Sequence, residues 1–378
     1  MKELHQTLAL IRGALAHYGP APTLIWDAGS GEPKAGGTVL RDVPVGGSTQ
    51  AVADVVETFV QRHGIPRVIE LSDGSVCQVG ATLSAAGHRA GEPLLGAQEV
   101  AGRAGVVRGR VAVVTGGAQG FGERLVRGLV DNGALVFIAD LNREGADALA
   151  AELNGAYGPV CRGATVDVSE EESVITLMEE VVQIAGGIDL FVSNAGVLKA
   201  GSVKELSAKD FSFVTNVNYN GFFVCTKCAS QVMAVQNSTA PSNYLTDIVQ
   251  INSKSGLIGS NKNGAYAGSK FGGIGLVQSF AMELVEDRIK VNALCPGNFL
   301  DGPLWSDPDR GLFVQYLRAG KVPGATTVAE VRAAYEAKVP LGRGCTGDDV
   351  VRALLYVIEQ QYETGQAVPV TGGQNMLK

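Results

Sequence analysis

Short apolar runs alternate with amphipathic stretches along the last two thirds of the chain. The runs VAVVTGG, LVFIAD, IDLFVSNAG, DIVQINS, RIKVNALCPG and GQAVPVTGG are rich in apolar and β-branched residues. The stretch FGERLVRGLVDNGA follows the first run, and REGADALAAELNG follows the second. The apolar positions of both stretches have helical spacing. Strands separated by helices of this length predict repeated βαβ units. We therefore expect an α/β fold with a Rossmann-type, doubly wound parallel sheet of about seven strands.

The first 105 residues follow a different pattern. Helical spacing of apolar positions predicts helices in MKELHQTLALIRGALAHYG and STQAVADVVETFVQRHG, and PRVIEL predicts a strand. The glycine-rich stretch from residue 91 to residue 110 is typical of a linker. We expect residues 1–105 to form a small α/β domain with its own core and a linker, and residues 106–378 to fold without them.

Composition limits the possible partners. The 378 residues are 46% hydrophobic and 18% charged, and the net charge is -7. This acidic balance argues against a nucleic-acid or membrane surface, because such partners select basic patches. The first residues lack the long apolar core and the cleavage site of a signal peptide, so we expect a cytoplasmic protein.

Neither the histidines nor the cysteines show the spacing of a metal site. The four histidines are His5, His17, His63 and His88. Because no HxH, HxxxH or Cys/His spacing occurs, we expect no bound metal, and any catalysis beyond residue 105 proceeds without histidine. The CxxC pair Cys225 and Cys228 lies in an apolar stretch with no secreted disulfide framework around it, so we expect buried thiols.

The turn TGGAQGFG after the first of these strands carries glycines at Gly116, Gly120 and Gly122. Side chains there would keep a pyrophosphate away from the backbone amides that open the next helix. Asp140 ends the next strand, where a carboxylate binds ribose hydroxyls and repels a 2′-phosphate. The pattern predicts a site that prefers NAD to NADP, a preference that the nearby Arg143 weakens slightly. The alternative is that Asp140 caps the following helix.

Ser253, Tyr266 and Lys270 follow a later strand at intervals that suit one chemistry. On a helix, Tyr266 and Lys270 are one turn apart and share a face, so the ammonium lies close to the phenol. With a cationic nicotinamide ring, it would lower the pKa of the phenol from about 10 to about 7, which requires about 4 kcal/mol. Ser253 can donate to the oxygen that the tyrosine protonates. The triplet predicts general acid and base catalysis of alcohol and carbonyl interconversion.

Six ordered motifs in residues 110–378 resemble the short-chain dehydrogenase/reductase family: the TGxxxGxG turn, NAG, NYNG, Ser253, YxxxK and PG. The resemblance implies a catalytic set of Asn218, Ser253, Tyr266 and Lys270, in which Asn218 holds a water against Lys270. The alternative for Asn218 is a helix-interior asparagine bonded to backbone. The implied NAD contacts are Thr115, Gly116, Gly120, Phe121, Gly122, Asp140, Leu141, Asp167, Val168, Asn194, Ala195, Gly196, Tyr266, Lys270, Pro296 and Gly297.

A narrower resemblance, to the sorbitol 6-phosphate dehydrogenases within that family, rests on IVQINSKSG, KFGGIGLVQS, KVPLGRGC and VTGGQ. It implies oxidation of D-sorbitol 6-phosphate at C2 to fructose 6-phosphate. We expect the insertion at residues 303–344 to be the substrate lid. Most of the family has threonine shortly after PG and the sorbitol 6-phosphate dehydrogenases have lysine, whereas this chain has Asp301, whose charge favours a neutral polyol as the alternative substrate. Candidate substrate contacts are Lys254, Lys262, Asn298, Asp301, Trp305 and Arg343.

Two further function classes stay open. A reductase of acyl-thioester or steroid ketones would need a wide apolar entrance, and often NADPH. A non-catalytic dinucleotide sensor would need no proton relay. Asp140 and the polar loop NSKSGLIGSNKNG argue against the first class, and the intact Asn, Ser, Tyr and Lys set argues against the second.

Subunit contacts are expected on two helices. The stretches GFFVCTKCASQVMAV and SKFGGIGLVQSFAMELV are too evenly hydrophobic for helices exposed to water. They resemble the family's dimer and tetramer faces. The sequence therefore predicts a homo-oligomer, either a tetramer or a dimer.

Overall fold

The computed structural model of the chain describes residues 2–18, 23–27, 39–80, 105–309, 311–318 and 320–376. Its N-terminal part forms a four-stranded sheet in the order β1-β4-β3-β2, in which β2 and β3 are parallel and the other pairs antiparallel. The predicted helices and the predicted strand are present, whereas most of the predicted linker lies outside the described residues. These elements are α1 (Glu3–Leu15), β1 (Thr23–Asp27), β2 (Val39–Val43), α2 (Thr49–His63), β3 (Val68–Leu71) and β4 (Val76–Gly80).

A seven-stranded parallel sheet forms the centre of the remaining chain, in the order β11-β10-β9-β8-β5-β6-β7. This confirms the predicted fold class. The strand order reverses between β5 and β8, and folds of this type bind ligands beyond the carboxyl ends of the strands at such a point. The strands are β5 (Val111–Thr115), β6 (Leu135–Asp140), β7 (Cys161–Thr165), β8 (Leu190–Ser193), β9 (Thr246–Ile251), β10 (Ile289–Pro296) and β11 (Ala367–Val370).

Helices cover both faces of this sheet. Apolar residues of α3, α4 and α12 form one cluster against one face, and those of α5, α7 and α8 form another against the opposite face. A π-helical turn, Asn216–Asn220, joins α6 to α7. The helices are α3 (Gly120–Asp131), α4 (Arg143–Tyr157), α5 (Glu171–Ala185), α6 (Ala208–Thr215), α7 (Gly221–Thr239), α8 (Gly264–Leu284), α9 (Pro303–Ser306), α10 (Leu312–Arg318), α11 (Val328–Glu336) and α12 (Gly347–Glu359).

The N-terminal part shares its core with the large sheet. Leu8 and Ile11 of α1 are fully buried and belong to the same apolar cluster as α5 and α7. Helix α1 approaches α7 so closely that a Cβ on Gly13 would lie 2.0 Å from the carbonyl oxygen of Gln236. The sequence predicted a module with its own core, but its apolar side chains instead extend one continuous core.

A buried ion pair fastens α1 to the amino edge of the sheet. The Arg12 guanidinium donates to both carboxylate oxygens of Asp189, at 2.8 and 2.7 Å. Asp189 immediately precedes β8 and also accepts from the backbone amide of Val111, the first residue of β5. The Gln236 amide and the Tyr244 hydroxyl donate to the same carboxylate. This network joins α1, α7 and two strands.

The expected lid contains three short helices with a small apolar cluster of their own. Trp305 of α9 packs against Phe313 and Tyr316 of α10 and against Tyr335 of α11. Val331 of α11 is fully buried in the same cluster. These side chains form one small apolar cluster that joins the three helices.

Three structural features bear on possible partners. In the described part of the chain, no helix is long and apolar enough to cross a membrane. Within the same residues, no group of three or more His, Cys, Asp or Glu side chains is placed to hold a metal ion. Phe223 of α7 and both Phe271 and Met282 of α8 are exposed on the two helices for which the sequence predicts subunit contacts. The oligomer stays a prediction.

Candidate active site

The three side chains of the predicted catalytic triplet meet at the carboxyl end of β9. Ser253 lies two residues beyond this strand, and its side chain forms a hydrogen bond with Tyr266 of α8. The Lys270 ammonium lies 5.6 Å from the centre of the Tyr266 ring and donates to the carbonyl of Ile251 at 2.9 Å. The Asn252 amide donates to the Lys270 carbonyl at 3.0 Å and thereby holds α8 against the strand end.

Burial dominates the acid and base properties of this triplet. It raises the pKa of Tyr266, an effect that the hydrogen bond with Ser253 partly offsets. It lowers the pKa of Lys270 to about 8, although the adjacent Cys295 thiol acts in the opposite direction. The sequence predicted a lowered tyrosine pKa. That prediction included a bound nicotinamide ring, so it stays a prediction. The protein's own residues raise the pKa, because removing the phenolate from water costs more than the serine hydrogen bond returns.

Asn218 lies in the π-helical turn and is 3% exposed. Its side-chain oxygen accepts from the Val197 amide at 2.8 Å, and its nitrogen donates to the Val197 carbonyl at 2.9 Å and to Ser269 at 3.1 Å. A Cβ on Gly196 would lie 3.3 Å from the Asn218 oxygen and 3.8 Å from the Lys270 ammonium. Asn218 therefore makes the backbone hydrogen bonds expected of a purely structural asparagine. Its side-chain oxygen also lies close to Gly196, which is near the Lys270 ammonium.

The glycine turn has the shape of a pyrophosphate cradle. Gly116 and Gly120 have φ angles of 61° and 63°, which side chains rarely tolerate. A Cβ on Gly122 would lie 2.0 Å from the carbonyl oxygen of Gly116. The Gln119 side chain at the N-cap makes no hydrogen bond to the first amides of α3. Those amides and the helix dipole suit an anion, so the turn fits a dinucleotide.

The segment after β8 braces this turn. The Thr115 hydroxyl accepts from the amides of Asn194 and Ala195, at 3.0 and 3.1 Å. The Asn194 side chain donates to the carbonyls of Thr115 and Gly116, at 2.9 and 3.0 Å. Thr115 and Asn194, both predicted cofactor contacts, thus fix the spacing between the ends of β5 and β8.

Asp140 lies at the carboxyl end of β6, next to the glycine turn. Its carboxylate accepts from the amides of Ala118 and Asn142, at 3.0 and 2.9 Å. The N-cap of α4 is Asn142 rather than Asp140, which removes the capping alternative. Arg143 pairs with Asp147 on the surface of α4 at 2.7 Å, so its charge is already compensated.

The remaining predicted cofactor contacts border the same edge. Phe121 stacks on Phe299, with ring centres 4.4 Å apart. Leu141 is 68% exposed beside Asp140. Asp167 accepts from the amide of Ser169 at 2.9 Å. Phe299 is not among the residues predicted from the sequence, because only the fold brings it against Phe121 of the glycine turn.

The turn that follows Pro296 is fixed to the end of the chain. The Gly297 amide donates to the carbonyl of Val370 in β11 at 2.9 Å. The carbonyl of Asn298 accepts from the amide of Cys345 at 2.9 Å. These contacts hold the predicted cofactor and substrate residues after β10 in place.

Val168, a predicted cofactor contact that follows β7, is buried. A Cβ on Gly221 would lie 3.0 Å from its side chain.

Three of the predicted substrate contacts are engaged elsewhere. Asp301 pairs with Arg332 of α11 at 2.6 Å. Trp305 is 8% exposed within the apolar cluster of the lid. Arg343 binds Asp349 through two bonds, at 2.6 and 3.0 Å. The ion pair of Asp301 compensates the negative charge that favoured a neutral substrate.

The parallel sheet, the glycine turn and the Ser, Tyr and Lys triplet define a dehydrogenase of the short-chain class. Residues 110–306 match the family described as short chain dehydrogenase, and the chain belongs to that family. The chain is 38% identical to sorbitol-6-phosphate 2-dehydrogenase of Escherichia coli (strain K12) over 272 residues, which cover 71% of this chain and 99% of the relative. The rest of this chain has no counterpart in that relative.

Two solved structures are similar to the same part of the chain. Sorbitol-6-phosphate 2-dehydrogenase SrlD from Erwinia amylovora has a TM-score of 0.65 and 39% identity, and the match covers 70% of this chain and all of that one. The Pseudomonas aeruginosa RhlG/NADP active-site complex has a TM-score of 0.60 and 26% identity, and the match covers 71% of this chain and 96% of that one.

Proposed function

We propose that the protein uses NAD to oxidise the C2 hydroxyl of a hexitol phosphate, best D-sorbitol 6-phosphate, to the ketose phosphate. The meeting of Ser253, Tyr266 and Lys270 at the carboxyl end of β9 supports this proposal, because a phenol there would exchange a proton with the oxygen of a substrate bound next to the nicotinamide ring. The similarity to relatives named for sorbitol 6-phosphate supports the choice of substrate.

The residues of the site divide the reaction between them. The bound dinucleotide supplies the hydride acceptor, and its positive ring favours the phenolate form of Tyr266. Tyr266 takes the proton of the substrate hydroxyl as the C2 hydride leaves and the carbonyl forms. Ser253 donates to the substrate oxygen, and Lys270 stabilises the phenolate. Asn218 fixes the backbone of Val197 beside Lys270.

Exchange of Asp140 for alanine is expected to lower the ratio of kcat/KM with NAD to kcat/KM with NADP by at least about tenfold, because the carboxylate no longer binds the ribose or repels a 2′-phosphate. Initial rates with both cofactors measure this ratio. Asp147→Ala is the matched control, since Asp147 lies on the surface of α4 and pairs with Arg143. A wild-type protein that prefers NADP would contradict the assignment.

The substrate proposal predicts a kcat/KM for D-sorbitol 6-phosphate at least about tenfold above that for D-sorbitol, since a phosphate adds charge-assisted contacts. The two values come from rates of NADH formation at one fixed NAD concentration. A higher kcat/KM for free sorbitol would instead identify a neutral polyol as the substrate. This is the alternative that the charge of Asp301 favoured when only the sequence was considered.

A further inference from the structure

Four lysines belong to two segments of the chain, the one that leads from Ser253 to α8 and the one that forms the lid. Lys254 directly follows Ser253, and Lys262 lies shortly before α8. Lys321 follows α10, and Lys338 follows α11, so both belong to the lid. None of the four pairs with a carboxylate among the residues that the structure describes, unlike Arg332 and Arg343 of the same region.

The lid holds its two lysines on an aromatic platform. Tyr316 and Tyr335 stack with ring centres 5.4 Å apart, and Trp305 packs edge-on against both. The Lys321 ammonium lies 3.8 Å from the centre of the Tyr316 ring, and that of Lys338 lies 4.2 Å from the centre of the Tyr335 ring. Such contacts orient an ammonium without neutralising it, so both remain available to an anion.

The lysines of the lid and of the core act on one another. Burial lowers the pKa of Lys254, and the charge of Lys338 lowers it further. Burial also lowers the pKa of Lys321, with further contributions from Lys338 and Lys262. Like charges without a compensating carboxylate repel each other, and an anion bound between them would remove that repulsion.

Backbone geometry at Lys262 adds to this picture. Its φ angle is 55°, in the left-handed region that few residues other than glycine adopt. The Lys262 carbonyl accepts from the amide of Gly201 at 2.9 Å, which holds the loop in this conformation. Strained residues of this kind concentrate at functional sites.

On the basis of the proposed function, we infer that Lys254, Lys262, Lys321 and Lys338 form the binding site for the phosphate dianion of the substrate. Ammonium groups form strong charge-assisted hydrogen bonds with phosphate oxygens. Because two of the lysines belong to the core and two to the lid, a phosphate bound between them draws the lid over Tyr266. A free hexitol has no group that does this.

The test replaces both lid lysines, Lys321→Gln and Lys338→Gln, in one variant. The kcat/KM for D-sorbitol 6-phosphate is expected to fall at least about thirtyfold, because two charge-assisted bonds are lost, while that for D-sorbitol stays within about twofold. Lys227→Gln is the matched control, since Lys227 lies on α7 and pairs with Glu171. Equal losses for both substrates, or no loss for either, would overturn the inference.

A binding measurement separates failure of this site from failure of the proposed function. Calorimetric titration with inorganic phosphate needs no turnover, so it applies even to a protein that oxidises neither hexitol. We expect the doubly substituted protein to bind phosphate at least about tenfold more weakly than the wild type. Equal phosphate affinities in the two proteins would show that the four lysines are not an anion site.

Discussion

Tyr266→Phe is expected to lower kcat for alcohol oxidation at least about a hundredfold, because the ring stays in place but the group that accepts the substrate proton is gone. The affinity for NAD is expected to stay within about twofold, since the glycine turn and Asp140 are untouched. Steady-state rates of NADH formation and a fluorescence titration with the cofactor measure the two quantities separately.

Tyr157→Phe is the matched control for this experiment. The Tyr157 hydroxyl donates to Asp131 on the surface, far along the chain from the triplet, so its removal is expected to leave kcat unchanged. A Tyr266→Phe protein that turns over at the wild-type rate would show that the phenol takes no part in the reaction.

The second large effect is on folding. Arg12→Met is expected to lower the free energy of unfolding by about 3 to 5 kcal/mol, because Asp189 stays buried without its cation. The methionine fills much of the arginine volume, so little of this loss comes from a cavity. Urea unfolding followed by circular dichroism measures the change.

Two further variants distinguish this account from a general loss of packing. Arg127→Met removes a similar two-bond pair with Glu152 on the surface and is expected to cost less than about 1 kcal/mol. Arg12→Met with Asp189→Asn is expected to be more stable than Arg12→Met alone, since the buried charge is gone. An Arg12→Met protein as stable as the wild type would contradict the account.

The same ion pair predicts a loss of stability in acid. Burial alone would raise the pKa of Asp189, but Arg12 outweighs burial and lowers it to about 2. An aspartate in the unfolded chain titrates near 3.9. The contribution of Asp189 is therefore fully present above about pH 4 and is lost as the pH falls toward 2.

This packing argues against one expectation from the sequence, which a truncated chain would test. The periodicity of the first 105 residues suggested a separate domain whose removal leaves the dehydrogenase part folded. Arg12 and Asp189 lie 177 positions apart, so no local sequence pattern predicts that they pair. Removal of α1 would expose apolar residues of α5 and α7 and leave Asp189 unpaired, so we expect a truncated chain to unfold under conditions in which the full chain is stable.

The sequence predicted the features that local spacing determines. The glycine turn, Asp140 and the Ser253, Tyr266 and Lys270 triplet lie at strand ends or on one helix face, where residue intervals fix the geometry. Strand β7 was not predicted, because it is an edge strand in which the exposed Arg162 and Thr165 interrupt the apolar run.

Other features of the site depend on contacts between distant residues. The charge of Asp301 is compensated by Arg332, 31 positions away. The pKa direction of Tyr266 follows from how deeply the fold buries it, and the thiol of Cys295 comes next to Lys270 only when β10 and α8 pack together. Spacing along the chain contains none of this information.

The most direct test of the central claim follows one hydrogen atom. Purified protein is mixed with NAD and D-sorbitol 6-phosphate deuterated at C2, and the NADH formed is analysed by mass spectrometry. Direct hydride transfer from C2 to the cofactor beside Tyr266 predicts NADH that contains one deuterium, together with fructose 6-phosphate in equal amount. Absence of NADH, or NADH without the label, would contradict the account.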